Sequence, residues 1–561
     1  RYSDAFAASL PTEMTGKKEC ITFASTREQW ESEIDSIQEI DQDCRFLLFD
    51  DDFEKNFQDL LSILNHISKL EQNPNSFSRY KSPFFWYRIA IYIRADEQKY
   101  APLIDTALKR SGDFTIRVSI LDDHKWPAEH LFYQHPLFTP FQNYSAKRLQ
   151  NNVNRFSLTI ISDGNPDLSC WLVKESFWLG CFLYPNLTLS VHIIGPHADA
   201  IEKQLRLECP GIFGTLPDAA SVSKFEFDTI SVDSIRSVDV IHAVQMCANP
   251  INAMNYYIVN VGNSVDNLDF ARMLREYTLR KLVRDDTKKF HNCFLPMIAF
   301  YCEDRNIAHL SEHIVIQTVE SGDQWFNNYH LIPFGMIQNR YSWQCLDGGY
   351  LEKVAQSAHL QYCGVPTDAP SKEKLQNLKD YFSRSYNRGS SMAVALCMPY
   401  RLFQTQAGKY GHIISTDSNL SPDHKPDDVD DMAQIFAEHL PWNRQPLLLL
   451  EHSRWLRWAL SRGWEAASAG QVLSYMKAGN PKHQLHIAKL HGCICDLDEL
   501  KPFAETLCNK MPESCHQSKE QIRRYAVPGL NGTVSPKDFS AIDRLNIENT
   551  AKIMKTEWEF F

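Results

Sequence analysis

Phe156-Ser157-Leu158-Thr159-Ile160-Ile161, running into Ser162-Asp163-Gly164-Asn165-Pro166, decides how the chain is read. A short apolar, β-branched run that stops at a turn cluster is the signature of a buried strand. The pattern after Pro166 is helical as far as Leu179, and a second strand follows over Leu187–Ile194, ending in Gly195-Pro196-His197. Strand–helix alternation at this pitch predicts a parallel α/β sheet, whose ligand crevice lies outside the C-terminal ends of the strands. Further strands are predicted at Val238–Ala243, Tyr256–Val261 and Leu295–Phe300.

Upstream the same alternation occurs once more. Cys44–Asp50, Phe84–Ile93 and Thr115–Leu121 read as strands, with helical periodicity over Asp59–Leu70 and Tyr100–Lys109 between them. A turn-rich segment, Val365-Pro366-Thr367-Asp368-Ala369-Pro370-Ser371, marks a linker. The predicted organisation is a first degenerate Rossmann-like unit over 1–150 and a second over 151–345. A linker helix and turn over 346–374 then lead to a mainly helical module over 375–561. Asp417–Asp431 reads as an acidic surface loop.

A dinucleotide fingerprint needs three glycines, so that backbone can approach a pyrophosphate and the helix can pack close. The loop after Ile161 offers only Gly164, with Pro166 and Cys170 further on, and Gly195-Pro196-His197 stands where a ribose-holding acid belongs. Nicotinamide dinucleotide is therefore not expected to bind, and no cofactor is expected. Gly-x-Ser-x-Gly, the phosphate-binding P-loop and His-Glu-x-x-His are all absent from the sequence.

The last third carries Glu451-His452-Ser453-Arg454-Trp455, then Gly463-Trp464 and Lys489-Leu490-His491. On a helix starting near Leu447, Leu448, His452, Trp455, Leu456 and Ala459 share one stripe, and Glu451, Arg454 and Trp458 share its neighbour. Two readings stand for this stretch. Residue types alone describe a core histidine bonded to a backbone carbonyl beside an i,i+3 ion pair. Alternatively, a guanidinium and two indoles suit recognition of a phosphate and a base. Glu451 and His452 are adjacent, so on a helix they point about 100° apart and do not form an acid–base couple.

This pattern resembles the RyR repeat, the small helical module named for the ryanodine receptors and found in many bacterial proteins. Ser385-Tyr386-Asn387-Arg388-Gly389-Ser390-Ser391 resembles the stretch that opens the module, and Asp543-Arg544-Leu545-Asn546 its closing helix. Gly492 stands where the repeats have Pro, and Ser540-Ala541 where they have Lys. Leu179-Gly180-Cys181-Phe182 and Asp266-Asn267-Leu268-Asp269-Phe270-Ala271 are similar to TrkA-type nucleotide-binding domains fused to bacterial RyR modules. Pro333-Phe334-Gly335 is similar to their exit into the linker. Ala128-Glu129-His130-Leu131-Phe132 and His135-Pro136-Leu137 resemble the back half of a first copy.

The resemblance implies a ligand site built from Asn387, Arg388, Ser390, Glu451, His452, Arg454, Trp455, Trp464 and His491. It also implies a nucleotide-derived messenger such as a cyclic nucleotide in anti-phage signalling, and a homo-oligomer that regulates a channel-like effector. The chain opens on Arg1, and a membrane segment or membrane partner before it is part of that expectation. The competing reading is an enzyme that hydrolyses or modifies a nucleotide in the Rossmann crevice.

A net charge of −11 over 561 residues argues against general nucleic-acid binding, because no basic field would attract phosphate backbones. No apolar run approaches the roughly 18 residues of a membrane helix, and the chain as read is expected in the cytoplasm. Fifteen scattered cysteines read as reduced thiols. His491, Cys493, Cys495, Cys508, Cys515 and His516 lack the paired-knuckle spacing of a structural zinc, so no metal is expected.

Overall fold

Alternate side chains of a strand point to opposite faces, and in each of the two larger sheets of this protein they pack into a different core on either side. The computed structural model describes residues 8, 29–31, 34, 44–72, 86–110, 116–139, 154–247, 253–285, 296–316, 331–346, 349–366, 369–406, 429–477, 485, 487–511, 526–528 and 534–554.

The chain enters as β1 (Cys44–Leu48), α1 (Phe53–Gln72), β2 (Ile89–Arg94), α2 (Glu97–Arg110), β3 (Arg117–Leu121) and α3 (Lys125–Gln134). The three strands form a parallel sheet in the order β1-β2-β3. Ile89, Ile91, Ile93 and Val118 pack against α1 and α2, while Ala90, Tyr92 and Leu121 turn to the other side.

The second unit is β4 (Arg155–Ser162), α4 (Pro166–Leu179), β5 (Thr188–Gly195), α5 (Ala198–Glu208), β6 (Lys224–Ser231), α6 (Val238–Cys247), β7 (Ala253–Asn260), α7 (Ser264–Asp285), β8 (Met297–Tyr301), α8 (Arg305–Ile316) and β9 (Leu331–Phe334). All six strands are parallel, in the order β6-β5-β4-β7-β8-β9. The chain therefore winds outward from β4, reverses, and winds out again from β7. Leu158, Ile160, Val191, Ile193, Tyr256 and Ile258 face the larger core with α4. Ile161, Ile194, Tyr257, Val259 and Phe300 face α6 and α7.

Two sequence expectations fail here. Val238–Ala243 is not a strand but the start of α6, with Val240, Ala243, Val244 and Cys247 buried at helical spacing. The strand at that point of the fold is β6, an edge whose residues are exposed or half-buried throughout. The expected strand over Phe84–Ile93 begins only at Ile89, after one turn of 3₁₀ helix at Trp86–Arg88. Phe84 and Phe85 lie outside the described residues, as do Cys515, His516 and most of the acidic segment Asp417–Asp431.

The remaining helices are α9 (Tyr350–Tyr362), α10 (Ser371–Phe382), α11 (Ser385–Leu396), α12 (Met398–Gln406), α13 (Val429–Ser461), α14 (Ala469–Lys477), α15 (Leu500–Asn509), α16 (Ala541–Glu548) and α17 (Thr550–Met554). Helix α9, read from sequence as a linker, buries Leu351, Val354, Ala355, Ala358 and Leu360 in the same core as α11 and α13. Helix α4 is buried on every side from Leu168 to Leu179, lodged between the six-stranded sheet, α3 and α13. Its two buried charges are compensated: Lys174 donates to Glu208 at 2.7 Å, and Glu175 accepts from Arg462 at 2.7 Å and from the Trp178 indole at 2.7 Å. Among the described residues, no helix is long and apolar enough to cross a membrane.

Candidate functional site

The stretch that sequence reading singled out divides into a buried half and a half-exposed half. Helix α13 carries it, with Pro441 and Pro446 inside the helix upstream. Glu451 is 1% exposed and accepts a two-pronged bond from Arg454, Nε at 2.9 Å and Nη2 at 2.8 Å. Arg401 of α12 adds a second guanidinium, and Asn546 Nδ2 of α16 donates at 3.1 Å. Burial alone would raise the Glu451 pKa, but Arg401 and Arg454 outweigh it and hold the carboxyl at about 2. His452 is 1% exposed and lies between two acceptors, Asp543 Oδ2 at 3.1 Å and the Cys495 carbonyl at 2.9 Å. That carboxylate and carbonyl raise its pKa against the opposing effect of burial.

Glu451, His452 and Arg454 thus hold α12, α13 and α16 together, and none of the three faces open space. The expected phosphate fork on Arg454 is a correction. Its Nε and Nη2 are taken by Glu451, and Nη1 is buried with no partner among the described residues.

The aromatic half is different. Trp455 is half-buried and meets His491 edge-on, with centroids 4.9 Å apart. Trp464 meets His491 at 6.1 Å and Tyr386 at 4.8 Å, and Tyr386 meets Trp458 at 5.7 Å. Residues more than 100 positions apart therefore converge on one aromatic wall. Gly463 (φ +77°) makes the turn that brings Trp464 round after α13, and its conformation suits glycine. His491 is held by the short pairing Glu465–Leu490 and Ala466–His491, and its Nδ1 accepts from Cys493 N at 3.2 Å. Gly492 is also local necessity, since a Cβ there would collide with the Phe503 ring. Tyr386 was not among the expected contact residues, although it sits inside the motif that named its neighbours.

Asn387, Arg388 and Ser390 do not join that wall. Asn387 donates to the Asp380 carbonyl at 3.0 Å, and Ser390 is half-buried on α11. Arg388 points away, donating to Glu352 Oε2 at 3.2 Å and to the Val118 carbonyl at 3.3 Å. There it lines a cavity between the C-terminal edge of β3, α2, α3, α9 and α11. The empty space, including the open mouth, is about 1110 Å³. Helix α11 separates the two places: Arg388, Gly389, Met392 and Leu396 face the cavity, and Tyr386 faces the aromatic wall. The cavity was missed from sequence, although one signal pointed to it: Asp122 directly follows a parallel strand, where ligands of such sheets gather.

The crevice between β4 and β7 is closed by its own loops. Asp163 N and Gly164 N both donate to the Asn260 carbonyl, at 3.0 and 2.9 Å, and the Asn260 amide donates back to Asn165 O at 2.9 Å. These are the donors a pyrophosphate would need. NAD is therefore expected to give no saturable heat at micromolar concentration in calorimetry; a micromolar Kd would overturn this. Gly164→Val is a poor control, because a Cβ at Gly164 would sit 2.9 Å from Asn260 Oδ1 and the variant would disturb the fold itself.

Among the described residues, no group of three or more His, Cys, Asp or Glu side chains is arranged to hold a metal ion. Comparison with family models, with curated proteins and with solved structures found no match in any of the three.

Proposed function

We propose that the chain is a ligand-sensing region that binds a nucleotide-derived messenger on the aromatic wall of its helical module and passes occupancy through its two parallel-sheet units. The observation that carries this reading is the wall formed by Tyr386, Trp455 and His491, each half-buried, with buried Trp464 behind them. An accessible indole face such as that of half-buried Trp455 can stack on a base, and each stacked base contributes about 1–3 kcal/mol. Burial pushes the neighbouring Cys493 thiol up, away from the thiolate a nucleophile needs, so recognition fits this wall better than chemistry. The order β6-β5-β4-β7-β8-β9, counted 3-2-1-4-5-6 from β4's own first half, supports a Rossmann-like reading of the second unit. The RyR-like reading of the module rests on the sequence motifs, and the link to a membrane effector and to anti-phage signalling rests on resemblance alone.

A melting-temperature screen with cyclic mononucleotides, cyclic dinucleotides and ADP-ribose tests this. At about a hundred times its Kd, a ligand specific for the folded state adds about 2.7 kcal/mol of stability. At least one member is expected to raise the melting temperature and to be recovered unchanged by chromatography. A converted product would favour an enzyme instead, and a panel with no hit would refute the reading.

The same proposal includes assembly through the second unit, because a sensor couples two states across an interface that its ligand can bias. Leu207 on α5 and Val238 and Met246 on α6 are large apolar side chains left exposed near the β6 edge. Light scattering at micromolar concentration should give at least a dimer. A monomer with and without ligand would contradict this part.

A further inference from the structure

The cavity beside α11 has its own chemistry, independent of the aromatic wall. Its lining carries five carboxyl side chains (Glu97, Asp105, Asp122, Glu129 and Glu352) against two cations, Lys125 and Arg388. Both cations are already paired. Lys125 Nζ lies 2.8 and 2.7 Å from the two Glu97 oxygens, and Arg388 is held by Glu352 and the Val118 carbonyl. Three of the carboxylates are saturated as well. Asp122 accepts from the backbone N–H of Glu97, His124 and Lys125, Asp105 accepts from Ser385 N and Oγ, and Glu97 holds Lys125.

Two titratable groups on the lining remain open, and both are acceptors. Glu129 makes only long ion pairs, 3.6 Å to Lys125 and 3.8 Å to Arg462, and receives no hydrogen bond from any described residue. His130 is 9% exposed and stacks on Trp126 at 3.6 Å; its Nδ1 lies 3.0 Å from the Trp126 carbonyl. A carbonyl only accepts, so Nδ1 carries the proton and Nε2 keeps a bare lone pair. No described residue donates to it. Burial holds this imidazole neutral by pushing its pKa down to about 3.

We propose that this cavity is a second binding site, for an organic cation: an ammonium group seated at Glu129 and His130 Nε2, with an aromatic or aliphatic body against Trp126, Tyr92 and Phe382. An ammonium supplies three donors and one positive charge, which are the two things the lining lacks. Cation–π attraction to the Trp126 face would add to the fit. A phosphate or carboxylate ligand would meet an excess of negative charge, with no unpaired cation to receive it. Burial raises the Glu129 carboxyl to about 7, and the nearby Glu175 and Glu97 carboxylates push the same way while Lys125 and Arg462 oppose them. A bound cation would bring it back down, so binding should release a proton near neutral pH.

The test is calorimetry on the full chain with three probes of one shape: tyramine (cationic), tyrosol (neutral) and 4-hydroxyphenylacetate (anionic). Tyramine is expected to bind at least about tenfold tighter than tyrosol, as a charge-assisted hydrogen bond would give, and the anion not at all. Glu129→Gln should remove the preference for tyramine. Met392→Trp, which adds bulk to the wall but no charge, should abolish binding of both tyramine and tyrosol. Tighter binding of tyrosol or the anion, a tyramine preference unchanged in Glu129→Gln, or no binding of tyramine would each overturn the assignment.

Discussion

Glu451→Ala should cost about 3–5 kcal/mol of stability, the range for removing one partner of a buried ion pair. The two guanidiniums of Arg401 and Arg454 would be left in a site where Arg401 is 2% and Arg454 5% exposed. Asn546 would lose its acceptor too, leaving the His452–Asp543 contact as a remaining polar tie between α13 and α16. The expected result is a large drop in the denaturant midpoint of the helical module. The pH dependence has a definite sign. The Glu451 carboxyl titrates lower in the folded chain, near 2, than in the unfolded one, where its ordinary value is 4.5. Its contribution is therefore complete above about pH 4.5 and is lost as the pH falls toward 2. Glu451→Gln should lose the same stability at neutral pH and flatten that acid limb. A variant that melts like the parent would mean that the buried network contributes nothing net.

Trp178→Ala is the second large effect, expected at about 3–5 kcal/mol for truncating a fully buried indole. Trp178 lies on α4, where that helix packs against both the six-stranded sheet and α13. Its indole donates to Glu175, and the Arg454 guanidinium lies 5.7 Å from its ring. Removing it opens a cavity and leaves Glu175 with one donor fewer. Trp442, 84% exposed on α13, is the matched control, and its replacement by Ala should stay within about 0.5 kcal/mol. Equilibrium denaturation of the two variants separates the cases. Equal losses would contradict the packing described for α4.

The sheet architecture was legible because buried parallel strands are apolar runs. Phe156–Ile161 and Tyr256–Val261 announced themselves in that way. Edge strand β6 did not, since Lys224-Phe225-Glu226-Phe227-Asp228 alternates and leaves its charges in water. Val238–Ala243 was misread because a short β-branched run looks alike in a strand and in a helix; only the spacing of Val240, Ala243, Val244 and Cys247 tells them apart. In the site, the i,i+3 pair Glu451–Arg454 was readable from spacing, but its decisive partner was not. Arg401 reaches Glu451 from 50 positions away, and that second cation fixes the pair in the fold. Arg388 shows the same limit, because its orientation is set by Glu352 and by the Val118 carbonyl, which no local pattern reveals. The cavity that Arg388 lines draws residues from Tyr92 to Leu396, so it exists only once the chain has folded.

The central claim is that the aromatic wall recognises ligand while the charged residues beside it hold the fold. Parallel calorimetry and melting curves on Trp455→Ala and Arg454→Ala test it most directly, with whichever nucleotide the screen identifies. Trp455→Ala should weaken binding by about 1–3 kcal/mol and lower the melting temperature only modestly. Arg454→Ala should melt far earlier, yet its folded fraction should keep the parental Kd. The opposite pattern, with affinity lost in Arg454→Ala and retained in Trp455→Ala, would contradict the account.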